Sequence, residues 1–301
     1  MKTVGFSKED RMRAKKSHTS IGDVLMHLGM VLMSFICLYP FVLSFMVSIS
    51  SEESIVNNGF KMIPEEFSML AYKTVFMDGS IYTGYLVTII VTIAGTLLSL
   101  LLTAMAAYGM ANNKVQYRNV FAFYLYIPTV FSAGLVPWYL VCTQVLHLQN
   151  TIWALILPSL VSPFNIFLMR NYFKTIPSSL VEAAEIDGCD VIKTAFVVVF
   201  PLSKPIIATI SLFVGLGYWN NWANALYFID KKELYPLQYM LYRIESLMKF
   251  IRENGALGNI EVPTQTFQMA TLFVTIGPIL LLYPFIQKYF VKGIMVGAVK
   301  G

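Results

Sequence analysis

Glu182-Ala183-Ala184-Glu185-Ile186-Asp187-Gly188 is the stretch of this chain best suited to act on another molecule, and the chemistry it suits is contact rather than catalysis. Ala183 and Ala184 carry only a methyl, so a helix through them can approach a partner's backbone closely. Gly188 permits a positive φ, which lets the chain leave that contact abruptly. Asp187 offers a carboxylate to a basic partner residue. Glu182 also has a local use, because Ser179-Leu180-Val181-Glu182 reads as a capping box in which Ser179 closes a helix start and Glu182 reaches back. Capping alone leaves the two alanines unexplained.

A second group, Trp219, Asn220, Trp222 and Asn224, closes a long apolar segment. Amides bond hydroxyls and indole faces stack on the apolar faces of pyranose rings, so the cluster suits a sugar. The plainer account of the two tryptophans is anchoring at a membrane interface. Trp138, Tyr139 and Asn165, with Ser132, Ser159 and Ser162, are further candidates for the same polar path. Small polar side chains are equally the ordinary glue between membrane helices. The three histidines (His18, His27, His147) have no partner at ligand spacing, and Cys37, Cys142 and Cys189 match neither a metal spacing nor a disulfide framework. No metal site is expected, and nothing resembles a catalytic triad or a paired-carboxylate site.

These residues must be positioned by elements that sit in lipid. The chain has 301 residues, of which 56% are apolar and 13% charged, with a mean hydropathy of +0.63. Soluble domains average about 25% charged residues, so half the usual charge is missing. The net charge of +5 does not indicate nucleic acid, because the cations gather at the ends of apolar segments instead of forming a basic face.

Crossing the hydrocarbon takes about 20 apolar helical residues. Six stretches qualify: Val24–Ser50, Tyr82–Met110, Val120–Val141, Thr151–Met169, Pro205–Tyr227 and Phe267–Ile286. The expected architecture is an all-α membrane protein with six transmembrane helices. Pro158, Pro163, Gly215 and Gly217 lie inside the fourth and fifth, where neighbouring helices must re-satisfy the backbone. Residues 1–23 precede the spans, are long and charged, and lack a small-residue cleavage site, so the first span is expected to stay as an anchor. Between spans lie a loop over 171–204 and another over 228–266, the latter with an amphipathic helix over 237–254. Residues 287–301 form a tail, whose spaced glycines suit an extended strand.

Orientation follows from the cations. With the N-terminus inside, only seven of the 22 Lys and Arg residues fall outside: Lys61, Lys73, Lys231, Lys232, Arg243, Lys249 and Arg252. Five of those seven share one long loop, which counts least in the positive-inside rule. Both termini and the 171–204 loop are therefore expected in the cytoplasm. No Asp, Glu, Lys or Arg sits in the interior of a span, which disfavours an ion-coupled transporter. No P-loop run exists either, so any ATP must be bound by another chain.

Glu182-Ala183-Ala184, three residues, Gly188, nine residues, Val198, then Phe200-Pro201 resembles the cytoplasmic-loop signature of bacterial ABC importer permeases. The likeness runs from about Tyr85 to the C-terminus. Gly95–Ala104, Phe131–Tyr139, Leu148–Pro158 and the ending Lys292–Gly301 are similar to the carbohydrate-uptake branch that includes maltose permeases, and within it to permeases for oligosaccharides or polysaccharides. Tyr85-Leu86-Val87-Thr88 departs from the Asn-Thr or Asn-Ser that usually opens the second span.

The resemblance implies the type I importer permease fold in a bacterial cytoplasmic membrane. It implies a heteromer of two different permease chains, two ATPase copies and an extracytoplasmic sugar-binding protein. ATP and Mg would sit on the ATPase subunits, with no cofactor in this chain. Glu182, Ala183, Ala184, Asp187 and Gly188 would form the coupling helix that plugs into an ATPase groove, and the tail would reach between the ATPases. A permease for another solute, such as polyamine or glycerol phosphate, would favour complementary charge along the route. None is visible in the spans. A membrane scaffold or channel working without ATPases is the reading from a different class, and co-purification of an ATPase separates it from an importer.

Overall fold

The computed structural model describes residues 21–77, 79–254 and 265–298, with the backbone alone given for 251–254 and 282–298. The N-terminal cations, most of the expected 254–265 outer segment and residues 299–301 lie outside the described residues. Within them the chain is helical, with one isolated antiparallel bridge between Ser50 and Phe67.

Two helices are long, straight and apolar enough to cross a membrane: α1, Ile21–Ser48, and, after short α2 (Glu52–Asn58) and α3 (Leu70–Met77), α4, Ser80–Ala111. At 1.5 Å per residue their 28 and 32 residues reach about 42 and 48 Å. Helix α1 is apolar all round, yet it buries only Val47 and Ser48. Such a surface is stable only against lipid or another helix. Helix α4 is the opposite case, buried along one side from Ile81 to Met110.

The next three expected spans are each broken. Helices α5 (Arg118–Val130) and α6 (Leu135–Val145) meet at 116°, α7 (Trp153–Ser159) and α8 (Pro163–Phe173) at 53°. The α5–α6 bend is made by Phe131–Gly134, where Gly134 takes φ +88°. Only glycine enters that region without strain. Pro158 and Pro163, which cannot donate, bracket the α7–α8 break. The Ile156 carbonyl there accepts the Tyr218 hydroxyl at 3.0 Å.

Helix α9 is Ser178–Ile186; α10 (Val191–Leu202) and α11 (Lys204–Trp219) meet at 85°. The expected fifth span, Pro205–Tyr227, therefore ends early, at Trp219, and a separate α12, Ala223–Phe228, follows. The amphipathic stretch forms α13, Leu237–Asn254, and the last helix, α14, runs Gln265–Ala298. Residues 291–298, part of the 291–301 stretch of the tail whose glycines suit an extended strand, continue this helix instead: Gly293 and Gly297 are tolerated inside it, as are Pro278 and Pro284 earlier in α14.

Helix α4 is the centre of the molecule. Along one side it packs against α8 and α11. A Cβ on Gly95 would lie 2.6–2.8 Å from the Tyr218 ring of α11, so the glycine is what allows the two helices to close. The main core gathers there, including Val91, Ala107, Ile156, Met169 and Ile210. A second cluster (Ala71, Val75, Ile81, Trp219, Leu237, Ala270, Val274) joins α3, the start of α4, the end of α11, α13 and α14.

An exposed helix and a polar hub

The 171–204 loop presents α9 as a free-standing helix. Its start departs from the expected capping box: Pro177 occupies the cap position and no side chain bonds there, because the helix begins at Ser178 and puts Ser179 inside the first turn. Its end is a Schellman motif. Gly188 at φ +81° lets the Cys189 N–H donate to Ala184 O at 2.9 Å and the Gly188 N–H to Glu185 O at 3.0 Å. Asp190 then caps α10, its carboxylate accepting the Lys193 N–H at 2.6 Å.

The two faces of α9 differ. Ser179, Glu182, Ala183 and Ile186 fall at i, i+3, i+4 and i+7 and are all exposed, Ile186 to 86%. Asp187 and Gly188 continue this open surface. Ala184 turns inward and is buried, so the two alanines serve opposite sides. On the inner side Lys114 Nζ reaches Glu185 Oε2 at 2.5 Å across a cavity of about 600 Å³. Desolvation, with the nearby Arg170 and Arg118 charges, holds Lys174 at that cavity below the ordinary lysine pKa. Lys114 and Ile186 escaped the sequence reading. Lys114 is 71 residues from its partner, and an exposed isoleucine carries no local signal.

The second candidate group divides. Asn224 is buried, and its Nδ2 and that of Asn221 both donate to Ser159 Oγ at 3.2 Å. Asn221 Oδ1 accepts the Asn224 N–H at 3.1 Å, so an asparagine side chain supports the first turn of α12. Asn220 and Trp222 turn toward α13: Asn220 accepts Gln238 Nε2 at 3.3 Å, and the Trp222 indole stacks on Tyr242 at 4.4 Å. Trp219 leaves the group, packing in the second cluster with Nε1 donating to Thr275 O at 3.3 Å.

Trp138 and Tyr139 meet α12, with Trp138 5.0 Å and Tyr139 5.8 Å from the Phe228 ring. Asn165 is buried in the first turn of α8, where its N–H bonds Ser162 Oγ. The structure thus joins Ser159, Asn221 and Asn224 in one hub and distributes the others around it. Gln238 and Tyr242 were missed because nothing local marks a helix as docked on another segment. Among the described residues no three His, Cys, Asp or Glu side chains converge as a metal site.

The end of the molecule opposite α9 is held by further long-range polar contacts. Asn150, at φ +58°, donates to Asp230 Oδ2 at 3.1 Å and accepts the Asp230 and Lys231 N–H groups. The Glu52 carboxylate accepts the Gln265 and Thr266 N–H groups, each at 2.9 Å, and the Thr266 hydroxyl, which caps α14 from 213 residues away.

Residues 99–296 match the family described as "Binding-protein-dependent transport system inner membrane component". The chain is 37% identical over 286 residues to the polygalacturonan/rhamnogalacturonan transport system permease protein YtcP of Bacillus subtilis (strain 168), covering 93% of this chain and 98% of that one. It is 28% identical to the arabinooligosaccharides transport system permease protein AraQ of Halalkalibacterium halodurans, over 95% and 100% of the two chains. Among solved structures it resembles a chain of a bacterial ABC transporter involved in the import of the acidic polysaccharide alginate, with a TM-score of 0.79, 29% identity, and coverage of 96% of this chain and 100% of that one.

Proposed function

The chain belongs to the family of binding-protein-dependent transport system inner membrane components, and from that premise we propose that it is the permease subunit of an ATP-driven importer of oligosaccharide or polysaccharide. The relatives that support the substrate class carry polygalacturonan or rhamnogalacturonan and arabinooligosaccharides, and the structural neighbour serves alginate import. The chain performs no bond chemistry in this reading. A second, different permease completes the pore, two ATPase copies bind ATP and Mg, and an extracytoplasmic binding protein delivers the glycan. In this reading each bent pair and α14 count as one crossing, so six crossings keep α9 on the side of both termini, and the cation bias makes that side the cytoplasm.

The observation that carries the proposal is the exposed face of α9. Ser179, Glu182, Ala183 and Ile186 make a stripe with a small centre and an apolar end on the side of α9 opposite Val181 and Ala184, which face the core, and Pro177 and Gly188 bound the helix. Ile186, the most exposed large apolar side chain of the 171–204 loop, is what a groove on an ATPase would cover. The hub of Ser159, Asn221 and Asn224 supplies amides and a hydroxyl at the opposite end, where a sugar would enter. The test is to purify this chain with its partners from membranes and measure glycan uptake and ATP hydrolysis in vesicles. Stable recovery of an ATPase and glycan-stimulated hydrolysis are the expected results. Recovery without any ATPase would refute the reading.

A further inference from the structure

A cavity of about 370 Å³ lies between α3, the start of α4, α13 and the start of α14. That volume is in the range of small-molecule sites, about 300–1,000 Å³. Its walls are mostly hydrocarbon, supplied by Val75, Ile81, Ile244, Leu247 and Phe267. Two cations, Lys232 and Arg243, also line it, and both are exposed. The Arg243 guanidinium rests over the Tyr235 ring at 5.0 Å from its centroid, which holds it beside the cavity. Among the described residues neither cation pairs with a carboxylate. Around the cavity Phe76, Met77 and Phe250 are exposed.

We propose that this cavity binds one anionic phospholipid, with its phosphate on Lys232 and Arg243 and an acyl chain along Ile81, Ile244, Leu247 and Phe267. Three features select a lipid. The lining is mostly apolar, and its four hydroxyls, on Thr74, Ser80, Tyr235 and Thr271, are too few to replace all the water that a glycan's hydroxyls would lose. Exposed apolar side chains, Phe76, Met77 and Phe250, lie within three residues of lining residues in the chain, as suits a site entered from the bilayer. The two cations at one place complement a single phosphate, as basic pockets between membrane helices do for lipid headgroups. A bound lipid would also brace the second cluster, since Val75 and Ile81 belong to both.

Native mass spectrometry of the purified assembly, extracted into detergent with phosphatidylglycerol or phosphatidylcholine, tests this. The expected result is retention of phosphatidylglycerol and loss of phosphatidylcholine by the unaltered protein. The pair Lys232→Gln and Arg243→Gln should lower retention by about tenfold or more. Lys73→Gln, an exposed cation of α3 outside the cavity, should leave it unchanged. Equal retention of the two lipids overturns the proposal without recourse to any variant. Undiminished retention in the double variant, or displacement of the lipid by an acidic oligosaccharide, overturns it too.

Discussion

The two ends of this molecule are built on opposite plans. At the α9 end, the described polar contact between the loop helix and the rest of the chain is the Lys114–Glu185 ion pair, with Ala184 tucked beneath. At the other end, Glu52 caps α14, Asn150 clasps Asp230, Ser159 gathers two asparagines, and the Leu237 N–H donates to Thr88 Oγ1 at 2.9 Å. In the proposed contact a partner protein would hold α9, which then needs little holding by its own chain. The far end is instead fastened residue by residue. Substitutions at the first end should therefore affect partnership, and substitutions at the second should affect folding.

The largest effect is expected from Ala183→Glu. In the proposed contact it puts a carboxylate into a desolvated groove at a cost of several kcal/mol. Uptake and ATPase recovery should be lost while the chain's own level in membranes holds; normal uptake would detach α9 from coupling. Glu52→Ala comes next, because it leaves two N–H groups and a hydroxyl of α14 without their charged acceptor. About 2–3 kcal/mol of stability should go, read as a lower unfolding temperature in detergent. An unchanged temperature would show the far end to be less firmly fastened than drawn here.

Gly95→Val should cost about 1–3 kcal/mol by overpacking. The Tyr218 ring that a Cβ would strike is tethered through its hydroxyl to Ile156 O and cannot simply swing away. The readout is again thermal, and a companion Tyr218→Ala should recover part of the loss. The smallest effect belongs to Lys114→Ala. That ion pair is largely open to water, with the lysine side chain 66% exposed, so stability should change by less than about 1 kcal/mol. ATP hydrolysis that no longer responds to glycan in this variant would sharpen the comparison, since a weak tether would then be setting the angle of α9.

The sequence made α1 and α4 legible because hydropathy alone defines a straight span. Pro158 and Pro163 stand in the fourth expected span, which runs unbroken through them, but the structure breaks it there by 53°. The α5–α6 bend was not legible, since Ser132-Ala133-Gly134 is apolar enough to pass as span, and only the backbone reveals the positive φ at Gly134. Trp219 and Trp222 look alike in the chain, yet the turn at Asn220–Trp222 sends one into the second cluster and the other onto Tyr242. Side chains on either side of a helix end diverge in this way, and no spacing rule anticipates it. The contacts that fasten the far end join residues from 62 to 214 positions apart, beyond the reach of any local pattern.

Helix α4 behaves as a pushrod. Thr88 is bonded to α13 near one end, and the Met110 carbonyl accepts Arg170 Nε at the other, about 33 Å away along an unbroken helix. An α-helix resists compression far better than bending, so axial displacement at the Met110 end arrives at Thr88 nearly undiminished. The bent pair α5–α6 has no such property and would absorb the same push at Gly134. An axial push on this chain would therefore pass along α4 and be taken up in the bend of its neighbour.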